Sequence, residues 1–99
     1  MTVQMRAIEH GVAISGELDL ASVGEFRQFA SSVVDGEHEV VLDIAELEFI
    51  DTTGISAILG FAEADCPNGL VLRSPKDNVQ RVLLDLGIEQ IAGIKVESR

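Results

Sequence analysis

Residues 40–64, VVLDIAELEFIDTTGISAILGFAEA, contain a change in hydrophobic period from that of a strand to that of a helix. The run Val40-Val41-Leu42 is continuously apolar, which is typical of a strand buried on both faces of a parallel sheet. After the segment 43–50, a helix is predicted from about Thr52 to Ala64. Its apolar residues recur at helical spacing, and they are Ile55, Ile58, Leu59 and Ala62. A buried strand followed by an amphipathic helix is the unit of an α/β sheet.

The residues before this unit predict a hairpin and an earlier helix. Val3 to Ile8 alternates apolar and polar residues, and Glu9-His10-Gly11 connects it tightly to a second strand over residues 12–16. The period then changes, and a helix is predicted from about Leu20 to Val34. Its inward-facing side chains are expected to be Val23, Phe26, Ala30 and Val33.

The residues after this unit predict a further strand, helix and strand. Leu70-Val71-Leu72 is a second continuous apolar run, and a third helix is predicted to start with Ser74 as N-cap and Pro75 in its first turn. A last strand is expected at about Ile94 to Val96. The buried face of the third helix, before the stop at Gly87, should consist of Val79, Val82, Leu83 and Leu86. We therefore predict an α/β fold in one domain over residues 1–99, with an N-terminal hairpin and then βα units that form a mostly parallel sheet packed by helices.

The charge of the chain limits its partners. The net charge is −10, from seventeen acidic and seven basic residues. Phosphate contacts need clustered Lys and Arg, so we expect no nucleic acid partner and no membrane partner, whereas a protein with a basic face would be attracted. No run approaches the roughly 20 apolar residues of a membrane span, and residues 1–9 lack the pattern of a secretion signal. Cys66 is the only cysteine, which favours a reducing, cytoplasmic location.

The sequence does not contain the common arrangements of catalytic residues. It has no phosphate-cradling glycine loop and no Gly-x-Ser-x-Gly elbow. His10 and His38 fall in two turns and are not at metal-ligand spacing with a cysteine or with each other, so we interpret both as solvated turn residues. We expect a protein that is not an enzyme, with no catalytic residue, no metal and no cofactor.

Two segments should meet at the carboxyl edge of the sheet, where sites form in open α/β folds. Gly16-Glu17-Leu18-Asp19 leaves the second strand, and Asp51-Thr52-Thr53-Gly54 opens the helix after the third strand. Asp51 is predicted to be the N-cap, because its carboxylate can accept from free N–H groups of the first turn. A helix start also favours an added phosphate, so phosphorylation there would change the charge of the rim without unfolding the helix.

The outer face of the same helix is predicted to be a docking surface. Opposite the apolar stripe lie small residues, which would let a partner's backbone approach closely: Thr53, Ser56, Ala57 and Gly60. An exposed helix with no other purpose would more naturally carry Lys and Glu. On a helical wheel, Thr53 lies nearer the middle of this arc and Thr52 lies at its edge.

At these positions the sequence resembles the STAS domains, and among them the bacterial anti-sigma-factor antagonists. The resemblance covers nearly the whole chain and rests on Gly16-Glu17-Leu18-Asp19, on Val40-Val41-Leu42-Asp43-Ile44, and on Phe49-Ile50-Asp51-Thr52-Thr53-Gly54-Ile55. The family fold is a small βα domain with a mostly parallel sheet, in agreement with the prediction from the residues.

The resemblance implies partner switching. Unphosphorylated antagonists bind an anti-sigma factor and release a sigma factor to transcription, while the anti-sigma factor, a serine/threonine kinase, phosphorylates the hydroxyl that follows the motif acid. A phosphatase reverses the modification. Carried over, the acceptor is Thr52, with Thr53 as second choice. The partner-binding residues are expected to be Asp19, Asp51, Thr53, Gly54, Ser56, Ala57 and Gly60.

Two other functions remain open at this point. One is a STAS-type accessory subunit of a membrane transporter ATPase, which would dock through the same helix without phosphorylation. Some such subunits also carry Asp-Thr followed by a small residue and Gly. The other is a small enzyme, which would need a nucleophile or base in a pocket, and the sequence offers none.

Overall fold

The computed structural model describes residues 3–98. We predicted one domain over residues 1–99, and residues 1, 2 and 99 of that prediction lie outside the described residues. A short 3₁₀ turn, Ile88–Gln90, precedes the last strand. The strands and helices, in chain order, are β1 Gln4–Ile8, β2 Gly11–Leu18, α1 Val23–Val33, β3 Val40–Ile50, α2 Thr52–Asp65, β4 Leu70–Arg73, α3 Asp77–Asp85 and β5 Ile94–Glu97.

The described strands form a sheet in the order β1-β2-β3-β4-β5. The strands of the hairpin, β1 and β2, pair antiparallel, whereas β2 to β5 pair parallel. The predicted α/β class, with an N-terminal hairpin and a mostly parallel sheet, is confirmed. Within the described residues, no helix is both long enough and apolar enough to cross a membrane.

The core lies on one face of the sheet. Along β3, the side chains of Val40, Leu42 and Ile44 are buried, while Val41 and Asp43 between them are only half-buried. The prediction that this apolar run is buried on both faces was therefore wrong. Because β2 to β5 lie in chain order, the usual right-handed crossovers put the helices between them on the same side, which leaves the opposite face without a helical layer within residues 3–98.

Strand β3 is longer than predicted, since the segment 43–50 continues it to Ile50. Polar residues such as Glu46 and Glu48 interrupt the apolar run, so the sequence pattern did not predict this part of the strand. Leu47 and Ile50 within it are nevertheless buried. Irregular pairing with β2, between Ala13 and Ser15 and again after Gly16, accommodates this extension. As a result, β2 and β3 end side by side.

The first helix begins later than predicted, at Val23 instead of Leu20. The predicted helix start is a turn in the structure, and the Leu20 side chain is 76% exposed. Inside the helix, Phe26 and Ala30 are buried as predicted, while Val23 and Val33 are half-buried against the core.

The third helix also begins later than predicted, at Asp77, and Ser74 is not its N-cap. Ser74 instead has a positive φ of 60°, and its backbone N–H donates to the carbonyl of Glu97 in β5 at 2.7 Å. The helix ends at Asp85, so Leu86, predicted to be buried, is 48% exposed. Both errors concern helix ends, and at Ser74 a backbone bond to a distant strand overrides the local signal.

Candidate functional site

The carboxyl ends of β2 and β3 bring together the two segments that were expected to form a rim. Leu18 and Ile50 are partners in the sheet, and the next residue of each strand is an aspartate, Asp19 and Asp51. The Asp51 backbone N–H donates to the Leu18 carbonyl at 3.4 Å, which joins the two loops directly. The two carboxylates therefore follow adjacent strand ends.

Asp51 is the N-cap of α2, as predicted. Its Oδ1 accepts from the Gly54 N–H at 3.0 Å and from the Thr53 hydroxyl at 2.6 Å. These two hydrogen bonds, the one from Thr53 foremost, hold the pKa of the Asp51 carboxyl below its ordinary value. The carboxylate is consequently charged at neutral pH. Its Oδ1 is already engaged by the first turn of the helix.

The two threonines of the first turn differ in exposure and in bonding. The Thr53 side chain is half-buried, and its hydroxyl is engaged by Asp51. The Thr52 side chain is exposed, and within residues 3–98 its hydroxyl makes no hydrogen bond. The helical wheel, which favoured Thr53 as the more exposed of the two, was wrong here because Asp51 draws the Thr53 hydroxyl back toward the cap.

Gly54 allows α2 to start directly above the end of β2. A Cβ atom at this position would lie 2.4 Å from the Leu18 carbonyl oxygen and 2.8 Å from Cγ1 of Ile50. Distances below 3.0 Å do not occur between real atoms of this kind, so a side chain would push the helix off the sheet. Gly54 is itself buried and contributes the close approach of the two elements rather than an exposed contact surface.

The loop that carries Asp19 is organised by a residue that sequence reasoning missed. The Ser22 side chain is only 2% exposed, and its hydroxyl donates to the Glu17 carbonyl at 2.8 Å and accepts from the Asp19 N–H at 3.0 Å. The Asp19 carboxylate accepts from the Ala21 N–H at 3.1 Å. The signal available in the sequence was the Asp-x-x-Ser spacing before a helix, which favours local side-chain bonds of this kind.

The docking face predicted on α2 is only partly exposed. Ser56 is exposed and Thr53 half-buried, but Ala57 is buried with 6% of its surface accessible. Gly60 is half-buried, and a Cβ atom there would lie 2.9 Å from Nη1 of Arg27 in α1. The prediction that Ala57 and Gly60 face solvent was therefore wrong.

The small residues of α2 instead accommodate α1. The rings of Phe26 and Phe61 meet edge to face with centroids 5.5 Å apart, and the Ser31 hydroxyl donates to the Asp65 carboxylate at 2.8 Å. Phe61 was not predicted as core, whereas the predicted core residues Ile55 and Ile58 are buried and Leu59 and Ala62 are half-buried. The side chains of α2 that remain exposed are Thr52, Ser56, Glu63 and Ala64.

Two exposed apolar side chains flank the rim and were not singled out from the sequence. Leu20 follows Asp19 and is 76% exposed, and Phe49, two residues before Asp51, is 46% exposed. Aromatic side chains such as Phe are enriched in protein interfaces relative to the rest of a protein surface. We call Asp19, Leu20, Phe49, Thr52 and Ser56 the rim surface.

Other polar residues do not join the rim. Cys66 is buried behind the far end of α2, and burial, with a smaller contribution from Asp65, raises the pKa of its thiol to about 11. A thiol of this kind stays protonated, as expected for a structural cysteine. His10 and His38 lie at the opposite end of the sheet, where their rings stack with centroids 4.0 Å apart, a proximity that their separation in the sequence concealed.

The fold and the site together define a small α/β domain with an exposed helix start beside acidic and apolar side chains. A family model described as "Mlab, STAS domain" matches residues 1–96. The chain belongs to the STAS domain family, which confirms the resemblance found in the sequence.

Among solved structures, the anti-sigma factor antagonist SpoIIAA in its unphosphorylated form is similar to this chain. The TM-score is 0.60 and the identity 21%, over 98% of this chain and 88% of that chain. At this identity the likeness shows a shared fold. No curated protein matches the chain.

Proposed function

We propose that the protein is an anti-sigma-factor antagonist controlled by phosphorylation of Thr52. In its unphosphorylated form it binds an anti-sigma factor with serine/threonine kinase activity through the rim surface, and so releases a sigma factor. The observation that carries the proposal is the exposed Thr52 hydroxyl, free of hydrogen bonds within the described residues, directly after the N-cap Asp51. Likeness to SpoIIAA in fold supports it.

The chemistry of the helix start accounts for a switch that leaves the fold intact. A phosphate on Thr52 would carry about −1.5 to −2 charges at the positive end of the α2 dipole, where free N–H groups favour an anion. The Asp51 carboxylate already holds the inner side of that turn. The new charge and bulk therefore lie on the outer side, next to Asp51 and Asp19, and change the surface that a partner meets when it docks against the rim surface.

The substitution Thr52→Asp tests this arrangement. We expect it to abolish binding to the kinase partner, while the thermal transition stays within a few degrees of wild type because an acid is favourable in the first turn of a helix. Thr52→Ala should bind constitutively and resist phosphorylation. Collapse of the fold in Thr52→Asp would show that Thr52 is structural and would contradict the switch.

The partner is identified by mass spectrometry on the protein isolated from lysate of its own host, with partners and phosphosites read together. Recovery of an ATP-binding anti-sigma factor, together with phosphate on Thr52 in a fraction of the molecules, would support the proposal. Thr53→Ser is the matched control, since it keeps the hydroxyl bond to Asp51 and should leave modification of Thr52 unchanged.

A second candidate is a constitutive accessory subunit of a membrane transporter ATPase, docked through the same rim surface. The residue at position 52 supports this candidate, because it is a threonine, whereas the residue that is phosphorylated in antagonists is most often a serine. The experiment separates the two: a transporter ATPase recovered together with an unmodified Thr52 peptide would establish the accessory subunit.

A further inference from the structure

The turn between β1 and β2 and the loop between α1 and β3 bring two histidines and an aspartate together. The His10 and His38 rings stack with centroids 4.0 Å apart and planes inclined by 25°. Oδ2 of Asp35 lies 2.8 Å from Nδ1 of His38. One ligand atom from each of the three side chains lies within 4.8 Å of the other two. We call this group the His10–Asp35–His38 cluster.

The backbone around the cluster is held in place from several sides. The His10 carbonyl accepts from the Val41 N–H at 2.9 Å, which ties the hairpin turn to the start of β3. Oδ1 of Asp35 accepts from the N–H groups two and three residues later, at 2.8 and 3.2 Å. The Asn68 amide donates to two carbonyls of the loop 35–38, at 3.2 and 3.0 Å. The three side chains are exposed, so they can reorient while their backbones stay in position.

The donor atoms of the cluster suit a transition metal. Imidazole nitrogen and carboxylate oxygen are good ligands for Zn²⁺, Ni²⁺ and Cu²⁺, whereas Mg²⁺ and Ca²⁺ prefer oxygen alone. Tetrahedral zinc with bonds of about 2.0–2.2 Å holds its donors roughly 3.3 Å apart. Modest rotation of exposed side chains brings donors within 4.8 Å to that separation.

We propose that the His10–Asp35–His38 cluster binds one divalent transition metal ion of the zinc type. His10 and His38 supply imidazole nitrogens, Asp35 supplies the carboxylate, and water completes the coordination because the site is open to solvent. The ion links the β1–β2 turn to the α1–β3 loop. Since it binds the folded chain through residues distant in sequence, it should stabilise the fold by an amount that rises with the logarithm of the free ion concentration once that concentration exceeds the dissociation constant.

The cluster is independent of the rim surface. His10 precedes β2 and Asp19 follows it, and β2 is eight residues long. At about 3.3 Å per residue, the two sites lie roughly 25 Å apart. Metal binding and partner binding can therefore be tested separately, and failure of one leaves the other untouched.

The experiment is a calorimetric titration of Zn²⁺ into untagged protein freed of metal by a chelator. We expect one ion per chain and a rise of the thermal midpoint with Zn²⁺. The substitutions His10→Ala and His38→Ala should each weaken binding by at least about tenfold. Glu37→Gln is the matched control, since it removes a neighbouring exposed carboxylate outside the cluster and should leave the affinity unchanged.

Nuclear magnetic resonance of the wild-type protein gives a readout that does not depend on the variants. Zn²⁺ should shift the imidazole resonances of His10 and His38, and excess Mg²⁺ should not compete. Absence of stoichiometric binding, imidazole signals that stay in place, or an affinity unchanged in both histidine variants would each overturn the proposal.

Discussion

A single carboxylate, that of Asp51, closes the first turn of α2. Replacing Asp51 by Ala should lower the free energy of unfolding by about 1 kcal/mol, because the Gly54 N–H and the Thr53 hydroxyl lose their acceptor. Asn caps as well as Asp, so Asp51→Asn should stay near wild type and serves as the control. Urea unfolding of the three proteins measures both effects.

The same cap predicts a dependence on pH. The folded pKa of Asp51 lies below its ordinary value of 3.8, owing to hydrogen bonds from Thr53 and Gly54. The charged carboxylate therefore contributes stability above the ordinary pKa, and this contribution disappears as the pH falls through the folded pKa. The difference between wild type and Asp51→Ala should be constant near neutral pH and shrink below about pH 4. A difference that grows with acidity would contradict the assignment.

Gly54 and Gly24 offer opposite outcomes for the same substitution. Gly54→Ala places a Cβ 2.4 Å from the Leu18 carbonyl oxygen, so we expect a loss of about 1–3 kcal/mol from the strain of moving α2. Gly24 lies in α1 with no atom within 4 Å of its added Cβ. Gly24→Ala should therefore stabilise by about 0.5–1 kcal/mol, because Ala has the higher helix propensity. Equal effects at both positions would show that the helix–strand contact is looser than described.

Ser56 and Ala57 are neighbours in α2 and were both predicted to lie on its exposed face. In the structure Ser56 is exposed and Ala57 is buried. Ala57→Leu adds volume at a buried position, so we expect it to destabilise by about 1–3 kcal/mol. Ser56→Leu adds the same bulk to an exposed position and should change stability by no more than about 0.5 kcal/mol. Ser56→Leu should nevertheless weaken partner binding, since Ser56 belongs to the rim surface. Denaturation and a binding assay on both variants distinguish a packing role from a docking role.

For the whole molecule, a charge of −10 is confined to a body with a radius of gyration of 11.8 Å. Its described ion pairs are exposed or partly exposed, and such pairs contribute little. Added salt should therefore raise the thermal midpoint by screening self-repulsion, since the Debye length is about 10 Å at 0.1 M. Thermal scans in NaCl check this, and a midpoint that falls with salt would mean that attractive pairs dominate.

The order of elements was predictable because it depends on local periodicity. Strand and helix periods in residues 40–64, together with the hairpin residues before them, specified the α/β class and placed α2 within one residue of its observed end. Asp51 was predictable as a cap because capping joins residues three positions apart. Helix ends were less predictable, since Ser74 bonds to a strand that lies far along the chain.

The location of the site was predictable from the sequence, but the exposure of its side chains was not. Asp19 and Asp51 were placed on one rim by the rule for parallel strand ends, and the structure puts them after paired residues. Exposure along α2 was wrong at Ala57 and Gly60, because a single helix gives no information on which neighbour covers its small residues. The free hydroxyl of Thr52 became distinguishable from that of Thr53 only through the bond to Asp51.

Local patterns along the chain are therefore sufficient for the class of fold, the helix start and the family. Contacts between distant segments established the rest: the cover of α1 over α2, the close approach of Gly54 to Leu18, and the meeting of His10 with His38. The physical reason is that period and capping involve residues a few positions apart, whereas exposure and side-chain clustering depend on which elements pack together in three dimensions.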